Sequence, residues 1–307
     1  MNTANFKEIL ESSWCYAGGF LDAGRVSSYI ATLAAADASH LGCAVMTNEG
    51  DCYKLGHCDV LFSMQSISKV ISLMYALKIL GRDAVFAKVG MEPTGDPYNC
   101  IIKLETAGEK PFNPFINAGA ITVISLLAEN ALFRDVLAFC GMVFGEDVHV
   151  DEDIFAQEMQ AGKRNRSMAY LMSSKGALGE DVEAYLNFYF CLCSVKVNAA
   201  HLAHMGAVLA CCGKSPITGK EIVPDWIIPI TKAIMLTCGM YDGSGEFAVS
   251  VGLPAKSGIG GGIVAAAGGM GIGTFGPSLD IKGNSVGGIR FLQYLSENTG
   301  ISMFKNQ

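Results

Sequence analysis

Ser66 and Lys69 lie three residues apart in the stretch Phe62-Ser63-Met64-Gln65-Ser66-Ile67-Ser68-Lys69. At about 1.5 Å rise per residue, this spacing puts both on one face of a helix, one turn apart. A serine hydroxyl is a poor nucleophile until a neighbouring base takes its proton. A lysine can be that base if burial draws its pKa from about 10.4 towards 7 or 8. A helix start also offers backbone N–H groups with no partner inside the helix, which can face a developing oxyanion. The ordinary alternative is a serine near a helix N-terminus beside a solvated lysine. The residues that follow weigh against it: Ile67, Val70, Ile71, Met74 and Leu77 recur at helical spacing, and Leu73, Ile79 and Leu80 make the rest apolar as far as Gly81. A lysine at the head of so apolar a helix is not expected to be merely solvated.

The elements around this stretch fall into three groups. Phe6 to Ala17 reads as an outer amphipathic helix stopped by Gly18-Gly19. Leu41 to Thr47 and Cys52 to Cys58 read as strands joined by the turn Asn48-Glu49-Gly50-Asp51, and they deliver the chain to Ser66. From Arg82 to about Trp226 the pattern is helices and loops. Met91-Glu92-Pro93-Thr94-Gly95-Asp96-Pro97 is turn-rich, and Pro111 to Ala120 is a loop from which Ile121 to Leu132 leaves as an apolar helix, with Asn117 near its cap. Glu158 to Asn165 is polar, and Ala184 to Val197 and Ala199 to Cys212 read as buried helices. After Pro224, Glu246 to Gly252, Gly262 to Ala267 and Met270 to Phe275 read as short strands, and Val286 to Leu295 as a closing amphipathic helix. The expectation is an α+β fold, with one antiparallel sheet of about five strands flanked by helices. The sheet half is drawn from about 1–80 and 227–307, the helical half of about 81–226 is inserted into it, and the site lies at their seam.

Length and composition bound the function. The chain has 307 residues, no linker-like stretch and no repeat, and is read as a single domain over 1–307. Half of it is apolar and 17% is charged, which supplies a large core. A net charge of -7 argues against nucleic acid or an anionic membrane surface as a partner. Eleven cysteines, odd in number and often inside apolar runs, suit a reduced cytosolic chain better than a disulfide framework. The N-terminal residues, with Lys7, Glu8 and Glu11, lack the order of a signal peptide. Ser257 to Leu279 is uncharged and long enough to cross a bilayer, but its glycines and Pro277 favour soluble sheet. His201 and His204 have no third ligand in view, so no metal is expected. Gly271-Ile272-Gly273-Thr274-Phe275-Gly276 resembles a dinucleotide-binding loop but runs into Pro277 rather than a helix. Gly213-Lys214-Ser215 lacks the first glycine of a phosphate loop.

SxxK at a helix start together with Lys256-Ser257-Gly258 resembles the active-site pattern of serine β-lactamases and penicillin-binding proteins. Adding Met91 to Gly95, Asn113 to Ala120, Asn165-Arg166, Cys238 to Asp242 and Gly252 to Gly258 brings the chain closer to the glutaminase family, from about Tyr29 to Gly262. That resemblance implies the β-lactamase/transpeptidase-like fold and hydrolysis of L-glutamine to L-glutamate and ammonia without a metal or organic cofactor. It implies Ser66 as nucleophile, Lys69 as its activating partner and Tyr241 as a proton shuttle. Tyr29, Asn117, Glu158, Asn165 and Tyr189 would contact the amino acid, and the N–H groups of Ser66 and Ile259 would form the oxyanion hole. The residues around Glu158 are less typical of the family, and Ile259 stands where many relatives have valine. The short chain resembles bacterial members, which form homodimers or homotetramers. The rivals are a β-lactamase or peptidase using the same serine and lysine, and a glutamine sensor without catalysis. The asparagine, tyrosine and glutamate set suits a small free amino acid better than an acylated peptide, and a sensor would have little need of Ser66, Lys69 and Tyr241 together.

Overall fold

The computed structural model describes residues 3–95, 99–101 and 110–305. Asp96 and Pro97, the end of the turn-rich stretch, lie outside the described residues. Strands β1 (Gly42–Thr47), β2 (Cys52–Gly56), β5 (Ala255–Ser257), β6 (Gly262–Ala267) and β7 (Met270–Phe275) form one sheet in the order β2-β1-β7-β6-β5, antiparallel at every step. Both ends of the chain therefore build the same sheet.

Alternation along the strands divides the core. Cys43, Val45, Ile263, Ala265 and Ile272 face helices α1 (Thr3–Gly18) and α9 (Val286–Thr299), meeting Phe6, Leu10, Phe291, Leu292 and Leu295. Ala44, Met46, Val264 and Ala266 face the other way, towards helix α7 (Ala199–Ala210) and the remaining helices. Helix α7 lies unusually close to β7 because the strand carries glycines there. A Cβ on Gly271 would stand 1.9 Å from the Ala207 nitrogen, and one on Gly273 2.0 Å from the Ala199 oxygen. Two glycines of the dinucleotide-like stretch thus serve helix-to-sheet packing.

Helix α2 (Ser68–Leu80) is the middle of the second layer, with α3 (Asn117–Asn130) and α8 (Ile227–Cys238) against it and α6 (Val182–Cys193) behind α3. Its residues from Ser68 to Met74 are all buried, as the continuous apolar pattern predicts, and it opens to solvent only near Ile79 before Gly81 ends it at φ +83°.

Four expectations need correction. Glu246 to Gly252 is not a strand: Ser244–Ser250 is a short helix, and the third C-terminal strand is β5. Phe247 and Val251, four apart, are buried while Val249 between them is 91% exposed, so the helical period wins over the alternation. The helix expected from Ile121 begins at Asn117. The helix expected over Ala184 to Val197 ends at Cys193, and Lys196–Val197 forms β4, which pairs with β3 (Phe62–Ser63) just before the serine. Finally, Ser66 lies in a 3₁₀ turn, Gln65–Ile67, that leads into α2, rather than in the first turn of α2 itself.

Candidate active site

The turn bearing Ser66 is fixed from both sides. The β3–β4 pairing holds it from one side, with Met64 N donating to the Val195 oxygen at 2.8 Å. The segment after β5 presses on it from the other: a Cβ at Gly258 would lie 2.9 Å from the Met64 oxygen, and one at Gly260 2.5 Å from the Ser63 oxygen. Only glycine lets Lys256-Ser257-Gly258-Ile259-Gly260 pass this close, and the approach brings Ile259 to the serine. Gln65 adopts φ +48°, a left-handed conformation that non-glycine residues rarely take.

Ser66 lines a cleft together with Tyr29, Asn117, Glu158, Asn165, Tyr189 and Ile259, which are all six of the expected substrate-contacting residues. Helix α4 (Glu152–Ala161), started by Asp151, whose Oδ1 accepts from Ile154 N at 3.0 Å, carries Glu158 inward. Asn165 follows in α5 (Lys163–Ser174), and Tyr189 comes from α6.

Lys69 sits behind the cleft, buried to 1% exposure. Its Nζ donates to Asn117 Oδ1 at 2.6 Å and to the Phe115 oxygen at 3.2 Å. Burial draws its pKa down to about 8. Asn117 Nδ2 in turn donates to Asn165 Oδ1 at 2.9 Å. The capping explanation of Asn117 fails, because the helix already begins at Asn117 and the residue before it, Ile116, makes no side-chain cap bond; Asn113 Oδ1 accepts from Phe115 N and Ile116 N at 3.0 and 3.1 Å in the loop ahead of the helix. Asn117 is left to connect the lysine with the cleft.

Glu158 is 2% exposed, although it stands in a polar stretch of the sequence. Its Oε1 accepts from Gln65 Nε2 at 2.8 Å and its Oε2 from Tyr29 Oη at 3.2 Å. Burial raises its pKa, while the bonds from Gln65 and Tyr29 pull it back. The carboxylate is thus held by these two bonds in the cleft that Ser66 also lines.

Tyr241 is placed differently. It begins a 3₁₀ turn, Tyr241–Gly243, at φ +55°, and lines a neighbouring crevice with Thr94, Asn113, Phe115, Ile116, Thr237 and Cys238. Phe115, whose oxygen receives Lys69, lies in that crevice, and Gly283 lies against both Tyr241 and Ile259. Tyr241 thus shares a crevice with Phe115, the residue whose backbone oxygen receives Lys69.

Three residues of this region carry no role in the sequence reading. Gln65 ties the serine turn to Glu158, and its place immediately before Ser66 is the only signal. Lys256, part of the Lys-Ser-Gly motif, is wholly buried beside Tyr241. Cys193 lines the cleft and stands 3.7 Å from Ser68 Oγ, but in sequence it is indistinguishable from other cysteines in apolar runs. His201 and His204 are used locally: His201 Nε2 lies 3.2 Å from Glu146 Oε2, and His204 Nδ1 lies 2.8 Å from the Val143 oxygen.

Helices on both faces of a five-stranded antiparallel sheet, with a serine and a lysine where its Lys-Ser-Gly strand meets a central helix, define the β-lactamase-like class of fold. Comparison with known proteins narrows this. The Glutaminase family profile matches residues 24–304. Glutaminase 2 of Clostridium perfringens is 45% identical over 304 residues, covering 97% of this chain and all of that one. The solved structure of the probable glutaminase ybaS is 35% identical, covers 100% of both chains and superposes with a TM-score of 0.95. A probable glutaminase from Bacillus subtilis, solved in complex with 6-diazo-5-oxo-L-norleucine, is 34% identical over 96% of each chain at a TM-score of 0.88. The chain belongs to the glutaminase family.

Proposed function

We propose that this chain hydrolyses free L-glutamine to L-glutamate and ammonia through an acyl-enzyme on Ser66. The observation that carries the reading is the buried carboxylate of Glu158, held by Tyr29 and Gln65 in the same cleft as Ser66. A free amino acid presents an ammonium group to such a carboxylate and its side-chain amide to the serine. Lys69, drawn down to about 8, takes the Ser66 proton as Oγ attacks the amide carbon. The N–H groups of Ser66 and Ile259 face the oxyanion. As the tetrahedral intermediate collapses, the carbon–nitrogen bond breaks and ammonia leaves with a proton passed on by Tyr241. Water then attacks the ester, gives its proton to the same relay, and glutamate departs with Ser66 restored. These steps call for no metal or organic cofactor. Asn117 and Asn165, bonded to each other, offer amide groups to the α-carboxylate.

The same reading makes the chain one domain over 1–307 and a cytoplasmic enzyme that assembles as a homodimer or homotetramer. Its eleven cysteines are all free thiols, in keeping with a reducing compartment, and among the described residues no helix is long and apolar enough to cross a membrane.

The test is ammonia release from glutamine, run beside a chromogenic cephalosporin, for the wild type and Ser66→Ala. Release from glutamine alone, lost in Ser66→Ala while glutamine still binds, is the expected result. A glutamine-like diazoketone should add to Ser66 by mass spectrometry. Cephalosporin turnover, or an adduct elsewhere, would overturn the reading.

A further inference from the structure

Lys256 is a lysine with 0% exposure that the mechanism above does not use, and no carboxylate pairs with it among the described residues. Its Nζ donates to the Ser257 oxygen at 2.6 Å and to the Gly239 oxygen at 3.0 Å, and stands 4.3 Å from the centre of the Tyr241 ring. Two of its N–H groups are received by carbonyls, and the nitrogen lies over the face of the Tyr241 ring. These partners are not scattered through the chain. Gly239 is two residues before Tyr241, and Ser257 is two residues before Ile259. Tyr241 itself holds φ +55°, a left-handed conformation that persists in a non-glycine residue only where surrounding contacts impose it. The Gly239 backbone already touches this strand, since Ser257 N donates to the Gly239 oxygen at 3.1 Å, and a Cβ on Gly239 would lie 1.7 Å from the Ala255 oxygen.

The geometry points to Lys256 as a positioning residue that seats the Tyr241 ring against the strand carrying Ile259, so that the tyrosine meets the reacting atoms in one orientation. This inference rests on the reading of Tyr241 as a proton carrier. Burial and the charge of nearby Lys69 both push the Lys256 pKa well down, so its place is held by donated N–H bonds and not by an ion pair.

Lys256→Met keeps the unbranched stem, one atom shorter, and removes its donors; the Gly239 oxygen retains its bond from Ser257 N. The expected result is a kcat at least about tenfold lower, with KM changed by less than about threefold. Because Lys256 acts through Tyr241, Lys256→Met combined with Tyr241→Phe should be no slower than Tyr241→Phe alone, within about twofold. Losses that multiply would overturn the inference, as would an unchanged kcat. A second measurement needs no substrate: fluorotyrosine placed at position 241 should show a shifted and broadened ¹⁹F resonance in Lys256→Met, and an unchanged resonance would count against the seat. Lys256→Gln, which keeps a donor, should fall between wild type and Lys256→Met. If neither variant folds, Lys256 serves the core rather than Tyr241 and the inference fails. Lack of ammonia release by the wild type would instead defeat the glutaminase reading, and the ¹⁹F comparison would still decide whether Lys256 seats the ring.

Discussion

In the proposed mechanism Lys69 is the base and Glu158 the ammonium anchor, and burial pushes each towards its neutral form. For Lys69 that is an advantage in rate and a cost in stability. With a pKa of about 8, the fraction of neutral amine rises about tenfold per pH unit below that point, so kcat/KM should climb with pH and level off above about 8. Lys69→Arg should be almost inactive over the whole range, since a guanidinium is not deprotonated below about pH 12. A profile flat from pH 6 to 9 would show that Lys69 is not the base. The folded value lies below the unfolded 10.5, so the unfolded chain binds more proton between the two, and stability rises with pH through that window. Below about 8 the buried lysine costs about 3 kcal/mol, the shift from 10.5 to about 8 at about 1.4 kcal/mol per unit. Lys69→Met should therefore raise Tm at pH 7, and the gain should vanish above about pH 10.5. Glu158 must stay ionised to hold an ammonium, so binding weakens as pH falls through its raised pKa. A charge-assisted bond is worth about 1.5–3 kcal/mol, so Glu158→Gln should lower kcat/KM for free glutamine at least about tenfold and narrow its preference over N-acetylglutamine. A mutant that kept both would move the ammonium anchor to another group.

At the scale of elements, the site depends on close approaches that only glycine permits. Helix α7 contacts β7 through backbone, with Gly271 meeting the Ala207 nitrogen and the Ala203 oxygen at 1.9 and 2.1 Å from where a Cβ would stand. Neither neighbour is a flexible side-chain end, so helix and sheet must separate to admit a methyl group. Gly271→Ala should cost at least about 2 kcal/mol, read as a lower urea midpoint with activity reduced by unfolding rather than by chemistry. Gly245 makes the opposite case: it lies inside the helix Ser244–Ser250, and a Cβ there would meet nothing within 4 Å. Gly245→Ala should stabilise by about 0.5–1 kcal/mol, because alanine gives up less backbone freedom than glycine. Equal midpoints for the two variants would disprove this account of the packing.

Over the whole molecule, burial sorts the cysteines into those that matter to solvent and those that fill space. All eleven are free, and Cys15, Cys52 and Cys212 are exposed. Burial raises the pKa of Cys43, Cys140 and Cys193, which makes them poor nucleophiles. A thiol reagent should therefore modify Cys15, Cys52 and Cys212 before the others in the native protein and all eleven in denaturant, and a reductant should leave Tm unchanged. Fewer than eleven thiols in denaturant would reveal a disulfide.

The sequence by itself determined the elements whose signal is local: the apolar run of α2, the β1–β2 turn and the glycine-bounded strands β6 and β7. It also determined where chemistry was possible, because Ser66, Lys69 and Lys256-Ser257-Gly258 are recognisable by residue type and spacing. Only the tertiary structure decided the rest. Whether Asn117 caps a helix or bonds Lys69 depends on where the helix starts and on Lys69, 48 residues away along the chain, whose Nζ reaches the Asn117 amide oxygen. Whether Glu158 is solvated depends on Gln65 and Tyr29, which lie 93 and 129 residues away along the chain. The short segment at Ser244–Ser250 alternates like a strand, and only the burial of Phe247 and Val251 on one side selects the helix. Lys256 looked like one member of a motif until the fold placed the Tyr241 ring over it. Pattern and propensity act over a few residues, whereas burial, pKa and hydrogen-bond partners are set by groups that meet only when distant segments pack.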